Sequence, residues 1–419
     1  MPLILGLALG LLATVASARE VDDACANFPE FRAAAIFDFG DHVWSALGDL
    51  RTMEPSCRGT DSEWPYRTTR GQLESFVLNH RAALQHFDRS PPAGAAGDLP
   101  DNTNAVPAVP YIAKRAASHR FVIVNERHHA SSDRLLTMSL LEPLRDQGFR
   151  YLAAEGVWQA DTLRDRGYPI SNTGYYVKDV VFAAMIRQAL ALGYAVVGYE
   201  HEAGQLPAEG MNAQQTRDYW QAHNLIARTI ARDETGKVLV HCGYAHAYES
   251  RSDRWTPMAH YLRQAAGIDP LTVDQTQLSE RGTPANEDPV RRAAAERGFV
   301  SGEPIVLVDD AGALVPIDGP SVDIRVVGLR TDYEAGRPTW MRMGGLREPL
   351  VVDVPECAAE PCILEAVDSE QPDAVAYDRA EATSASVVLF LPSDRDVQLA
   401  TYSLSGQLRR TWRLPTGDR

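Results

Sequence analysis

The sequence predicts an α/β fold over residues 118–285, a mostly parallel sheet with helices on both faces. Three observations carry this reading: short apolar runs alternate with helical patterns, glycines punctuate the helix ends, and each run closes on polar residues able to do chemistry. RFVIVN (120–125) is a buried-strand candidate because it is short, apolar and β-branched. SSDRLLTMSLLEPLRDQG (131–148) follows with Ser and Asp as capping candidates, helix formers inside and Gly148 as a stop. FRYLAA (149–154) is the second strand. Apolar residues at 177, 180, 181, 184, 185, 189 and 192 then fall at helical spacing up to Gly193. YAVVGY (194–199) is a third strand, 213–236 a helix, and KVLVHC (237–242) a fourth strand.

The flanks differ in character. Residues 19–117 form a helical region and linker, with SPPAGAAGDLPDNTNAVPAVP (90–110) read as loop because it is rich in Pro, Gly and Asn. Residues 286–419 hold short β-prone runs separated by turns, an accessory β-rich region. The first 18 residues, an apolar stretch ending in Ala16-Ser17-Ala18, read as a signal peptide cleaved after Ala18. The expected location is therefore periplasmic or secreted, with no membrane span after cleavage. Cys25 with Cys57 and Cys357 with Cys362 are expected as disulfides, leaving Cys242 as a buried small hydrophobe. A formal charge of −15 excludes sequence-independent binding to nucleic acid, which needs a basic face.

The chemistry sits at the strand ends. Glu126, His128 and His129 follow the first strand, Glu155 the second, Glu200 and His201 the third, and Gly243-Tyr244-Ala245-His246 the fourth. In a parallel sheet the carboxyl ends share one edge, where ligands bind. Carboxylates and imidazoles gathered there suit a divalent ion such as Mn, Co or Zn, with Glu126, Glu155 and His246 as ligands. They equally suit metal-free general acid–base work. Neighbours on an extended chain alternate sides, so His128 and His129 are not both expected to face the crevice. The three-residue step from Glu126 to His129 suits a loop entering a helix and favours His129. His241, inside the strand, is expected to be a core histidine. Gly243 is expected to permit close backbone approach or a positive φ. Arg217 is expected either to bind substrate or a developing oxyanion, or to form a salt bridge with a strand-end carboxylate. G-x-S-x-G, H-E-x-x-H, C-x-x-C and P-loop motifs are all missing.

E-x-x-H (Glu126, His129), the lone Glu155, and G-x-x-H (Gly243, His246) resemble the erythromycin esterase-like, ChaN-like and TIKI/TraB superfamily. TRDYWQAHNLIARTI (216–230) resembles that superfamily's Arg-Asp…Asn helix through Arg217, Asp218 and Asn224. Asn125 stands where a Gly often precedes the first Glu. The resemblance covers roughly residues 118–280 and implies an α/β fold with the Glu and His residues lining one site. It implies an exported hydrolase of a small-molecule or peptide ester or amide, with Glu126, His129, Glu155 and His246 catalytic and Arg217 and Glu200 holding substrate. The alternative it implies is a haem- or iron-binding protein without catalysis, for which His128 and His129 are candidate ligands.

Overall fold

A computed structural model describes Cys25, Phe28 and residues 42–88, 99–158, 162–207, 210–252, 255–300 and 302–418. The expected signal peptide lies outside the described residues. The architecture is mixed α/β. An eight-stranded sheet is made of β1 (Asn104–Pro107), β2 (Phe121–Glu126), β3 (Phe149–Ala154), β4 (Ala195–Gly198), β5 (Lys237–Gly243), β6 (Leu271–Asp274), β7 (Ile305–Val308) and β8 (Ile324–Val327). Their order is β1-β7-β8-β6-β2-β5-β3-β4. From β8 to β4 every pairing is parallel, while β7 runs antiparallel to both of its neighbours. The four strands read from sequence are the contiguous block β2-β5-β3-β4. The sheet also takes β1 from the stretch read as linker, and β7 and β8 from the stretch read as accessory.

Chain order reverses about β2, with β3 to β5 on one side and β6 and β8 on the other. Such a reversal opens a crevice beyond the carboxyl ends. Register sets what lines it: Glu126 lies opposite Gly243, and Ala154, just before Glu155, opposite His241 and Gly198. The strands are apolar on both sides because helices cover both faces. Leu140, Leu144, Phe182 and Met185 pack in one buried cluster, and Leu225, Met258 and Leu262 in another.

Helix starts follow local chemistry, with one departure from expectation. Asp179 caps Val180–Ala191 by accepting from the N–H groups of Val181 and Phe182, and Asn212 with Gln215 forms a capping box on Ala213–Arg228. Ser131 and Asp133, expected to cap the helix after β2, instead form a 3-10 turn before Arg134–Arg145. Ser131 Oγ donates to Asp179, and the Asp133 carboxylate accepts from Arg127. Both caps are diverted because a longer-range polar partner outcompetes the local N–H groups.

Three helices, Ser45–Cys57, Glu63–Phe76 and His80–Phe87, stand over the carboxyl edge, where Gln72 donates to the His128 carbonyl and the Phe87 ring stacks on His129. Beyond the main sheet lie a short hairpin, β9 (Tyr333–Glu334) with β10 (Arg337–Pro338), and an antiparallel β-rich region. That region holds β11 (Glu348–Asp353), β12 (Cys362–Asp368), β13 (Asp378–Ala382), β14 (Ser386–Leu391), β15 (Val397–Ser403) and β16 (Leu408–Leu414), as the sheet β13-β12-β15-β16 and the pair β11-β14. Both expected disulfides are present, with Cα–Cα separations of 5.2 Å for Cys25–Cys57 and 5.3 Å for Cys357–Cys362, and Cys242 is a buried free thiol. Among the described residues no helix is long and apolar enough to cross a membrane.

Candidate active site

Two imidazole–carboxylate pairs flank the Glu155 carboxylate. In the first, His128 Nδ1 lies 2.9 Å from Glu126 Oε1; in the second, His246 Nδ1 lies 2.6 Å from Asp218 Oδ1. An ionised carboxylate only accepts, so each imidazole carries its proton on Nδ1 and turns Nε2 away from its anchor. Both Nε2 atoms face Glu155 Oε1, at 3.9 Å from His128 and 3.8 Å from His246. Glu155 is itself pinned, Oε1 accepting from Arg217 Nη2 at 2.6 Å and Oε2 from the Gly243 N–H at 2.5 Å.

Arg217 joins the acids that arrive from separate strands. Its Nε and Nη2 donate to Glu200 at 2.9 and 2.6 Å, and its Nη1 donates to the His246 Nε2 lone pair at 3.0 Å. The neighbouring Asp218 also accepts from Trp255 Nε1 and Gln214, which fixes the carboxylate that holds His246. Asn224, two turns further along the same helix, donates to the Glu200 carbonyl at 2.7 Å. The helix Ala213–Arg228 thus brings its Arg-Asp…Asn face to the end of β4. Arg217 is the most open member, with 30% of its side chain exposed against 2% for Glu155.

Behind Glu126 the network is closed. Arg134 Nε lies 2.7 Å from Glu126 Oε2, and its Nη1 lies 2.8 Å from Asp179 Oδ2. His241 Nε2 reaches Glu126 Oε2 at 2.9 Å while its Nδ1 meets Thr137 Oγ1. His241 is indeed buried in the core, and it also belongs to the site's supporting shell.

The expectation about the paired histidines is overturned. His128, not His129, joins the Glu155 cluster, its ring stacked on Tyr176 at 4.0 Å. His129 turns the other way, its ring 3.4 Å from Phe87 and its Nδ1 2.9 Å from Tyr244 Oη. Alternation holds, since Glu126 and His128 meet on one side, but the three-residue step does not, because the chain leaves β2 in a turn where the Gln72 and Arg134 side chains both hold the His128 carbonyl. Gly243 serves by close approach, since a Cβ there would collide with the His128 ring. The positive φ falls on the next residue, Tyr244 at 42°, whose carbonyl accepts from Asn125. Sequence reasoning gave no role in the site to Arg134, Tyr176 or Tyr244. Arg134 hid in an amphipathic helix pattern, although it is fully buried. His201 stays at the rim, with its Nε2 on the Gln205 carbonyl.

Burial would raise the Glu126 carboxyl, but Arg134, His241 and the His128 hydrogen bond hold it well below the usual carboxylate range. Burial of Glu155 is likewise outweighed, by His246, Arg217 and His128, so it too is lowered. For His246 burial opposes the imidazolium, and Glu155 with Asp218 overcomes it, raising its pKa. His129 moves the other way: burial, then Arg127 and Arg281, push it well below the histidine range.

Glu126 and Glu155, expected with His246 as divalent-ion ligands, are both engaged by donors of the protein itself. Their oxygens are shared among guanidinium, imidazole and backbone donors, with positive charge supplied by the buried Arg134 and the partly exposed Arg217. Among the described residues no group of three or more His, Cys, Asp or Glu side chains is placed to hold a metal.

No family model matches the chain. No curated protein matches it either. Among solved structures it is similar to the type III effector HopBA1, at 14% identity and a TM-score of 0.27, over 38% of this chain and 85% of that one. A structure described as bacterial protein toxins gives 14% identity and a TM-score of 0.32, over 58% of this chain and 49% of that one. RRSP, a MARTX toxin effector domain from Vibrio vulnificus CMCP6, gives 15% identity and a TM-score of 0.29, over 57% and 46%. This chain therefore spans about half the length of the last two.

Proposed function

We propose that the protein is an exported hydrolase of an ester or amide, working by metal-free acid–base catalysis at Glu155. The observation that carries this is the pair of imidazoles facing one buried carboxylate, each held by its Nδ1 on a carboxylate of its own. In this reading His246 Nε2 takes a proton from the attacking water, and Asp218 steadies the imidazolium that forms. His128, in its protonated form, gives a proton to the leaving group, so one proton enters the pair of imidazoles and one leaves. Glu155 is not consumed; its fixed charge favours the imidazolium of His246. Arg217, released from His246 when substrate enters, binds the oxyanion of the tetrahedral intermediate. Glu200 holds Arg217 in place from the open side.

The strand-end motifs that resemble the erythromycin esterase-like, ChaN-like and TIKI/TraB superfamily support the same reading. The haem alternative has less behind it, because the His128 and His129 rings are both already stacked on aromatic side chains. The test is turnover of a broad ester and anilide panel by wild type, Glu155→Gln and His246→Asn, before and after chelation. The expected result is hydrolysis that survives chelator and is lost in both variants. Equal turnover in wild type and Glu155→Gln, or no turnover together with a Soret band on haem titration, would sink the proposal.

A further inference from the structure

The carboxyl-end crevice has a second half, over β2, β5 and β6. There a cavity of about 500 Å³ is lined by Trp64, Phe87, His129, Tyr244, Gln277 and Arg281. A concavity of this size, with aromatic rings on its wall and polar side chains between them, can hold a small molecule. Tyr244 is the partition between the halves: its ring meets His128 edge-on at 5.3 Å, and its hydroxyl lies on His129 within the cavity. The Asn125 side chain, gripping the Tyr244 carbonyl at 2.7 Å, keeps this partition in its positive-φ conformation. The Tyr244 ring alone thus stands between the cavity and His128.

Arg281 decides the chemistry. Its hydrogen bond, from Nη2 to the Thr276 carbonyl, is long at 3.5 Å, and no carboxylate among the described residues forms a salt bridge with it, although the Asp88 charge acts on it from the same wall. The two acids on the cavity wall are committed elsewhere. Asp88 accepts from the Gly282 N–H at 3.1 Å and from Asn286 at 3.0 Å. Asp288 caps the helix Pro289–Glu296 through the Val290 N–H at 2.8 Å and accepts from Gln277 at 3.2 Å. A half-buried guanidinium with a planar fork of donors and no paired anion is matched by a carboxylate. The aromatic rings around it match a flat apolar body.

We propose that this cavity is the specificity pocket of the hydrolase, taking a substrate whose flat aromatic portion bears a carboxylate that pairs with Arg281. The inference rests on the hydrolytic reading of the neighbouring cluster, but binding tests it without turnover. Isothermal titration of the full chain with naphthylacetate and with neutral naphthylacetamide is the measurement. The acid should bind at least about tenfold more tightly than the amide, the mark of a charge-assisted pair. Arg281→Gln should bind both as weakly as the amide, and Arg281→Lys should keep part of the preference, having the charge without the fork. Glu155→Gln should bind the acid normally. Equal binding of acid and amide by wild type, or an undiminished preference in Arg281→Gln, would overturn the proposal. Should Arg281→Gln fail to fold by circular dichroism, Trp64→Ala takes its place: it must weaken both ligands, and unchanged affinities overturn the pocket. Failure of the hydrolytic reading shows separately, as turnover that survives Glu155→Gln while the acid preference stands.

Discussion

The two imidazole–carboxylate pairs are built alike and set in unlike surroundings. The Glu126–His128 pair backs onto Arg134, Asp179, His241 and Thr137, all buried, so its carboxylate has no free oxygen. The Asp218–His246 pair opens toward Arg217 and Glu200, whose side chains are 30% and 19% exposed. One half is therefore a charged core that must be assembled for the crevice to exist. The other is a buried pair joined through Arg217 to ionic contacts that reach the surface. Breaking the first should show in stability and breaking the second in rate.

Arg134→Met is expected to have the largest effect. It leaves Glu126 and Asp179 buried without their counter-charge, a loss of about 3–5 kcal/mol for a broken buried pair. Chemical denaturation should show it as an earlier midpoint, whereas a midpoint equal to wild type would deny that the core is ionic. Acid sharpens the point. Glu126 and Glu155 have lowered folded-state pKa values, so their contribution is present above the ordinary carboxylate range near pH 4.3 and lost as pH falls through the lowered values. Wild type should resist acid further than Arg134→Met, in which Glu126 titrates nearer its ordinary range.

On the open side, His246→Asn removes the proposed base and should lower kcat by about 10²–10⁴-fold, the usual worth of one such group, with little change in the denaturation midpoint. A parallel fall in stability would assign His246 to the core instead.

What the sequence showed of this contrast follows from the range of the interactions. The parallel block was legible because apolar runs and helical spacing are local, and its strand ends showed where Glu126, Glu155, Glu200 and His246 would gather. β1, β7 and β8 were not, because β1 sits in a Pro-rich stretch and the other two join the sheet only by long-range pairing. The choice between His128 and His129 depended on a turn fixed by Gln72, 56 residues earlier in the chain. Arg134 gave no signal because a charged residue on an amphipathic helix reads as solvated unless its buried partners are known.

The vicinal histidines provide a smaller and sharper test, since the two face opposite halves of the crevice. His128→Asn should lower kcat by roughly 10²-fold or more, because it removes the proposed acid. His129→Gln should act chiefly on KM, because its ring belongs to the wall beside Phe87 and Tyr244 rather than to the proton path. A kcat loss in His129→Gln matching that of His128→Asn would mean that the partition at Tyr244 does not separate chemistry from binding.

The finest distinction lies in the pH profile. His246 acts as a base only when neutral, and Glu155 with Asp218 raises its pKa above the ordinary histidine value. Activity should therefore climb with pH through a limb lying above that value, since protonated His246 cannot accept a proton from water. In Asp218→Asn the imidazolium loses one of its two stabilising carboxylates, so the limb should move toward lower pH while the maximal rate falls. A limb that stays fixed in Asp218→Asn would transfer the base role to another group, and Glu155 would then have to act directly on water instead of through the imidazoles it holds.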